Sequence, residues 1–260
     1  MNKQLVIIDP QYDFCNPKGA LFVKGADEDC KRLAALIDRV KFTGINVTLD
    51  SHHYFDIAHP AFVVDQNGKH PDPFTLITAE DVRKGKWRAS EISLQGHLLH
   101  YVETLEKNSR YVYCIWPPHC LIGTPGHCVE EHVAESLLNW EKRGNFVNYI
   151  TKGSNFKTEH YSAVIADVPD PNDPSTGLNM GFIKLLQDAD IVYISGQALS
   201  HCVANTFRDV ADNFGEDNIK KLVLLVDTCS NVGGFENLGE QFIKDMTARG
   251  MQVAKSTEVY

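Results

Sequence analysis

Short apolar runs alternate along this chain with stretches whose apolar residues recur at helical spacing, and this alternation restricts the fold more than any other feature. The runs are Leu5–Ile8, Ile45–Leu49, Phe146–Ile150, Ile191–Ile194, Leu222–Val226 and Met251–Ala254. Each has the length of a buried strand. Between them, Cys30, Leu33, Ile37 and Val40 share one helical face. So do Val129, Val133, Leu137 and Trp140; Val203, Phe207, Val210 and Phe214; and Phe235, Leu238, Phe242 and Met246. Strands alternating with helices predict an α/β fold with a parallel sheet covered on both faces. The segment from Ala61 to Arg110 breaks the rhythm. It shows no clear strand of that sheet, a Pro-containing stretch at 70–73 and one helix around Glu91–Lys107. It reads as an insertion at about 61–110 into a single domain of residues 1–260.

Composition narrows the class. The chain has 260 residues, ample for a core without staples, with 43% hydrophobic and 23% charged residues. The longest unbroken apolar run, Tyr111 to Trp116, is far below the ~20 residues of a membrane-spanning helix. The first residues lack the apolar core of a secretory signal. A net charge of −9 argues against a nucleic-acid partner. Seven cysteines with no CxxC pair fit neither a disulfide framework nor a zinc knuckle. These features predict a cytoplasmic protein with a small-molecule partner, no nucleic acid and no membrane contact, and leave a homo-oligomer open.

In an open parallel sheet, ligands bind beyond the carboxyl ends of the strands. The residues there are Asp9, Asp50, Lys152, the loop after Gly196, and Asp227. Cys202 follows that loop and opens a helix, where the macrodipole is expected to lower a thiol pKa and free N–H groups are expected to cradle an oxyanion. Cys202 reads equally well as a small buried hydrophobe, and Cys229, also past a strand end, is its rival for the nucleophile. Asp9 suits a general base and Lys152 a cation that favours a thiolate. Asp50 and His52, two apart in extended chain, point the same way. With His119, and His59 seven residues on, they offer one carboxylate and two or three imidazoles, a set that suits Zn²⁺, Fe²⁺ or Mn²⁺. His53 faces the other way.

The segments Asp9-Pro10-Gln11-Tyr12-Asp13-Phe14-Cys15, Asp50-Ser51-His52, Trp116-Pro117-Pro118-His119-Cys120, Lys152-Gly153, Tyr161-Ser162 and Ser200-His201-Cys202-Val203 occur in that order. In this the chain resembles the nicotinamidases, also called pyrazinamidases, of the isochorismatase-like cysteine hydrolase superfamily. The resemblance implies a three-layer α/β/α sandwich with a six-stranded parallel Rossmann-like sheet, the isochorismatase-like hydrolase fold. It implies a catalytic triad of Asp9, Lys152 and Cys202, and an oxyanion hole from the N–H groups of Ala198 and Cys202. Asp50, His52 and His119 become ligands of one divalent metal ion, zinc before iron or manganese, with His59 a fourth in some members. Phe14 and Trp116 would sandwich an aromatic ring, with Tyr161 nearby. A cis peptide between Gln197 and Ala198 is implied as well. Gln197 departs from the small or aliphatic residue usual there and is a candidate substrate contact. The implied activity is hydrolysis of nicotinamide to nicotinate and ammonia through a thioester; the alternative is a related amidase acting on another small amide. Vinyl-ether hydrolysis of the isochorismatase type needs neither the cysteine nor the metal set. A catalytically silent binding protein would not need the triad.

Overall fold

The computed structural model describes residues 1–108 and 111–260. Its centre is one six-stranded, all-parallel sheet. The strands are β1 (Lys3–Ile8), β2 (Gly44–Asp50), β3 (Asn148–Lys152), β4 (Ile191–Gly196), β5 (Leu222–Leu225) and β6 (Gln252–Ala254). They lie in the order β6-β5-β4-β1-β2-β3. Each of the six apolar runs supplies one strand. The run at Phe146–Ile150 starts two residues early, because Phe146 is exposed and pairing begins at Asn148.

Side chains alternate across a strand, so each strand feeds two layers. One face presents Leu5, Ile7, Ile45, Val47, Tyr193 and Val223 to helices α1 (Ala26–Arg39) and, nearer the β3 edge, α3 (Glu131–Glu141). Val6, Ile8, Val192, Ile194, Leu222 and Leu224 present the other face to α4 (Met180–Gln187), α5 (Ala204–Phe214) and α6 (Glu236–Ala248). The result is the α/β/α sandwich expected. Val129 and Phe235 fall just outside their helices. Val129 instead bridges Gln11, and the Glu130 side chain caps α3 by accepting from the His132 and Val133 N–H groups.

Residues 61–108 build a third apolar cluster from Phe62, Val63, Ile77, Val82 and Ala89, against Leu98, Tyr101, Val102 and Leu105 of α2 (Gln95–Asn108). Ile57, Tyr113 and Ile115 complete it from the flanks. As expected, the segment gives no strand to the main sheet; it contains three two-residue strands, Val63–Val64, Leu76–Ile77 and Arg88–Ala89. They form antiparallel pairs outside the main sheet, one of them with Tyr113–Cys114. Two residues carry too little apolar periodicity to be recognised in sequence. Arg110, the expected end of the insertion, lies outside the described residues. No helix among the described residues is long and apolar enough to cross a membrane.

The strand order places the site. From β1 the chain moves outward through β2 to β3, then returns to the other side of β1 for β4. The carboxyl ends of β1 and β4 therefore flank the switch point, where an open α/β sheet has its crevice. Asp9 follows β1 and the loop to Cys202 follows β4.

Candidate active site

Asp9 is fully buried and adopts a left-handed backbone conformation (φ 43°) directly after β1. Thr48 of β2 fixes it twice: its hydroxyl donates to Asp9 Oδ1 (2.6 Å) and accepts from the Asp9 N–H (3.0 Å). Lys152 ends β3, and its register partner on β2 is Asp50, so neighbouring strands hold the two side chains together. The Lys152 ammonium lies 2.9 Å from Asp9 Oδ2 and 3.0 Å from Asp50 Oδ1. It also donates to the His160 carbonyl (2.8 Å) and approaches Cys202 Sγ at 3.6 Å. Gly153 follows with φ +81°; a Cβ there would lie 3.0 Å from Asp50 Oδ1, so glycine serves both the turn and the space.

Cys202 does not open α5 as a regular helical first turn. It lies in a π-helical turn, Leu199–Val203, that precedes α5. The Gln197–Ala198 peptide is cis, as the resemblance implies. Burial pushes the Cys202 thiol well up; Lys152 opposes this, while Asp9 and Asp50 add to it. The helix-terminus expectation of a lowered thiol pKa therefore fails. Desolvation and two carboxylates outweigh one ammonium, so the proton must leave when the sulfur attacks. Asp9 is fitted to take it, because its own burial also raises its pKa despite Lys152. The same burial works against the Lys152 ammonium, but the carboxylates of Asp50 and Asp9 beside it outweigh burial and hold its pKa well above the usual lysine range.

The second cluster adjoins the first through Asp50. Burial alone would raise this carboxyl, but His52 and Lys152 hold it well below the usual carboxylate range. Its Oδ2 lies 3.1 Å from His52 Nε2 and 3.3 Å from His119 Nε2. His59 Nε2 lies 3.4 Å from His119 Nδ1. A shared ion bonded at ~2.0–2.1 Å to tetrahedral donors places them ~3.3 Å apart, so the Asp50–His52 and Asp50–His119 separations suit a common centre, and His52, His59 and His119 each offer a ring nitrogen within 4.8 Å of the others. The 3.4 Å contact of His59 is to the other nitrogen of the His119 ring, which bonds the Pro117 carbonyl, and does not itself point at that centre. Burial, with His119 and His52 close by, keeps His59 neutral, its pKa lowered to about 3, as a ligand requires. The backbone explains the convergence. The His52 N–H donates to the Cys120 carbonyl and the Ile122 N–H to the His52 carbonyl, which zips the Asp50 segment to the His119 segment. Gln11 clamps the Asp50 backbone, donating to its carbonyl (2.7 Å) and accepting from its N–H (2.7 Å). His53 is exposed and gives only its carbonyl, to His59 Nδ1 (3.0 Å).

Both clusters open onto one small cavity. Phe14, Trp116 and Tyr161 supply aromatic walls; Cys202, Ala198 and His201 lie on another side, and Asp50 and His119 on the metal side. Trp116 donates its indole N–H to the Tyr161 hydroxyl (2.7 Å). Gln197, the remaining sequence candidate, is absent from this lining. Its amide donates to Asp29 Oδ2 (2.9 Å) and accepts from the Ser230 N–H (3.1 Å), which anchors the nucleophile loop from behind. The other cysteines stand apart. Cys229, the rival nucleophile, is buried off the cavity, its thiol pushed up by that burial, and Cys15 and Cys120 are core residues as well. Cys128 is exposed just after a 3-10 turn. Asp227 accepts from the Ser256 N–H and hydroxyl (both 2.7 Å) and ties down the C-terminal segment.

Sequence reasoning missed Glu159. Its Oε1 lies 3.8 Å from His52 Nε2, and with Asp50 and His52 it forms a second buried group able to hold an ion. The only signal was a polar Thr158-Glu159-His160 block beside Tyr161, indistinguishable in sequence from a surface loop. Asp56, 3.2 Å from His52 Nδ1, was missed for the same reason.

No family model matches the chain. Among curated proteins, a Saccharomyces cerevisiae nicotinamidase is 26% identical over 212 residues, 81% of this chain and 82% of that protein. Among solved structures, the yeast nicotinamidase superposes with a TM-score of 0.68 at 20% identity, covering 97% of this chain and 99% of its own. A Pyrococcus horikoshii pyrazinamidase in complex with zinc gives 0.59 at 20% identity, covering 98% and 99%. An L. infantum protein in complex with nicotinate gives 0.63 at 21% identity, covering 100% of this chain and 95% of that one. The resemblance drawn from the motifs and the sandwich fold are thus borne out.

Proposed function

We propose that this protein is a cysteine amidohydrolase of the nicotinamidase kind, which hydrolyses nicotinamide to nicotinate and ammonia. One observation carries the reading: the Lys152 ammonium touches both the Asp9 carboxylate and the Cys202 sulfur at the wall of an aromatic cavity. A base, a cation and a nucleophile in that contact are the parts of covalent acyl transfer.

Asp9 takes the proton from Sγ as the sulfur bonds to the carboxamide carbon. The carbonyl oxygen becomes an oxyanion, held by the N–H groups of Ala198 and Cys202; one such donor is worth ~3 kcal/mol in other enzymes. Asp9 returns the proton to the departing nitrogen, the C–N bond breaks, and ammonia leaves a thioester. Asp9 then deprotonates a water that attacks the thioester carbon. The C–S bond breaks and Sγ is reprotonated. Lys152 remains charged throughout and balances whichever of sulfur or carboxylate is anionic. Phe14, Trp116 and Tyr161 hold the ring, which fixes the carboxamide over Sγ. Asp50, His52 and His119, with His59 as fourth ligand, would hold a divalent metal ion, zinc before iron or manganese, and that ion would supply a Lewis-acidic anchor for a ring nitrogen or ordered water.

The test is ammonia release from nicotinamide, with metal analysis on the same sample. Wild type should turn over, Cys202→Ala should lose turnover while keeping its fold and metal, and Asp50→Ala should lose metal. Release from aliphatic amides but not from nicotinamide would sink the substrate assignment.

A further inference from the structure

One polar side chain in the cavity wall has no part in the chemistry above. His201 precedes the nucleophile, is buried, and packs among Trp116 (centroids 5.3 Å apart), Tyr161 (5.5 Å) and Phe235 (5.0 Å). Each of the other polar side chains of the wall already has a role or a hydrogen bond. Asp50, His119 and Glu159 belong to the metal side, Cys202 is the nucleophile, and the Tyr161 hydroxyl accepts from Trp116. His201 has a single side-chain hydrogen bond, 2.9 Å between Nδ1 and the Ser200 hydroxyl. Nε2 has no partner among the described residues.

The hydrogen on that ring can be placed. Ser200 is buried, and its oxygen already accepts the Val232 N–H (3.1 Å). Among the described residues its own hydroxyl hydrogen has one bonded acceptor, His201 Nδ1, and a buried hydroxyl left undonated is costly. Ser200 therefore donates to Nδ1, and the proton of the imidazole sits on Nε2. Burial keeps the ring neutral, its pKa lowered to about 4, so it presents a neutral N–H donor at ordinary pH.

We propose that His201 is a specificity-determining residue whose Nε2–H donates to an acceptor atom on the edge of the substrate's aromatic ring, giving the cavity a preference for carboxamides of rings with a second nitrogen over those with one. The inference rests on the amidohydrolase reading. A pyridine carboxamide has one ring acceptor, which the metal side can occupy; a diazine carboxamide has two. Against a ring carbon the His201 N–H stays unpaired in an apolar wall, and against a nitrogen it is paired.

The experiment compares kcat/KM for pyrazinamide and nicotinamide in wild type, His201→Phe, His201→Gln and Ser200→Ala. His201→Phe should lower the pyrazinamide to nicotinamide ratio about tenfold, mostly through KM of pyrazinamide. His201→Gln, which keeps an N–H donor, should recover part of the ratio. Ser200→Ala, which frees the tautomer, should lower the ratio less than His201→Phe. A ratio unchanged in His201→Phe, or one lowered equally in His201→Gln, would overturn the proposal. If His201→Phe fails to fold, the Ser200→Ala ratio decides: unchanged, it overturns the proposal. Wild type that hydrolyses neither amide marks the failure of the nicotinamidase reading, which is distinguishable from a wild type active on both with an unmoved ratio.

Discussion

Lys152 is the residue whose loss the site tolerates least. Its ammonium is buried, and beside it lie the carboxylates of Asp9 and Asp50 at 2.9 and 3.0 Å. Removing one partner of a buried ion pair leaves uncompensated charge, at a cost of ~3–5 kcal/mol. Lys152→Met should therefore lose activity and also lower the urea midpoint by a corresponding amount; a fully stable, inactive variant would show that the carboxylates do not need the ammonium in the fold. The residues that carry this chemistry were readable because each lies at or just past a strand end or just before a helix, a place sequence can locate. Glu159 and Asp56 were not readable, since they reach His52 from loops whose path is set by tertiary contacts. The expected lowering of the Cys202 thiol pKa fails for a related reason. A helix terminus is visible in sequence, but the burial and the two carboxylates that outweigh it are not.

At the scale of elements, the sheet edge works because backbone passes very close to backbone. Gly196 ends β4 opposite Ile8 with φ +113°, and a Cβ there would sit 2.0 Å from the Ile8 carbonyl oxygen. Left-handed strain alone costs ~1–2 kcal/mol, and the clash adds to it. Gly196→Ala should thus destabilise the protein by more than that strain and displace the loop to Cys202, read as a lower thermal midpoint and a loss of kcat. An active, unshifted variant would mean that the loop is not seated against β1. The six strands and the main helices were legible from apolar periodicity, since burial on both faces leaves long apolar runs. The two-residue strands of the 61–108 segment and the π-helical turn were not, because their geometry follows from contacts with distant chain.

For the molecule as a whole, burial of neutral imidazoles sets the acid limit. His160 and His201 have pKa values lowered to about 4, and His59 to about 3, chiefly by burial. Unfolding exposes them to water, where each titrates near ~6.5. Below ~6.5 the unfolded chain therefore binds protons that the folded chain refuses, so stability contributed by these groups is complete above that pH and is lost as pH falls towards 4. His52, raised well above its ordinary value, works in the opposite direction only at higher pH, while the buried carboxyls of Asp9 and Glu159, raised by burial, oppose the slope within it, two groups against three imidazoles. Denaturant midpoints measured at successive pH values should fall steadily from pH 6.5 to 4, and a flat profile there would contradict the buried neutral rings.

Three strand ends meeting at one cavity support a covalent step at one sulfur, and trapping that step is the direct measurement. Mixing the protein with nicotinamide, quenching in acid within the first turnovers and mapping the peptides by mass spectrometry should show a nicotinoyl group on Cys202. Lys152→Met should show little of it and Cys202→Ala none. Ammonia release persisting in Cys202→Ala, with every cysteine unmodified in the active wild type, would contradict the account.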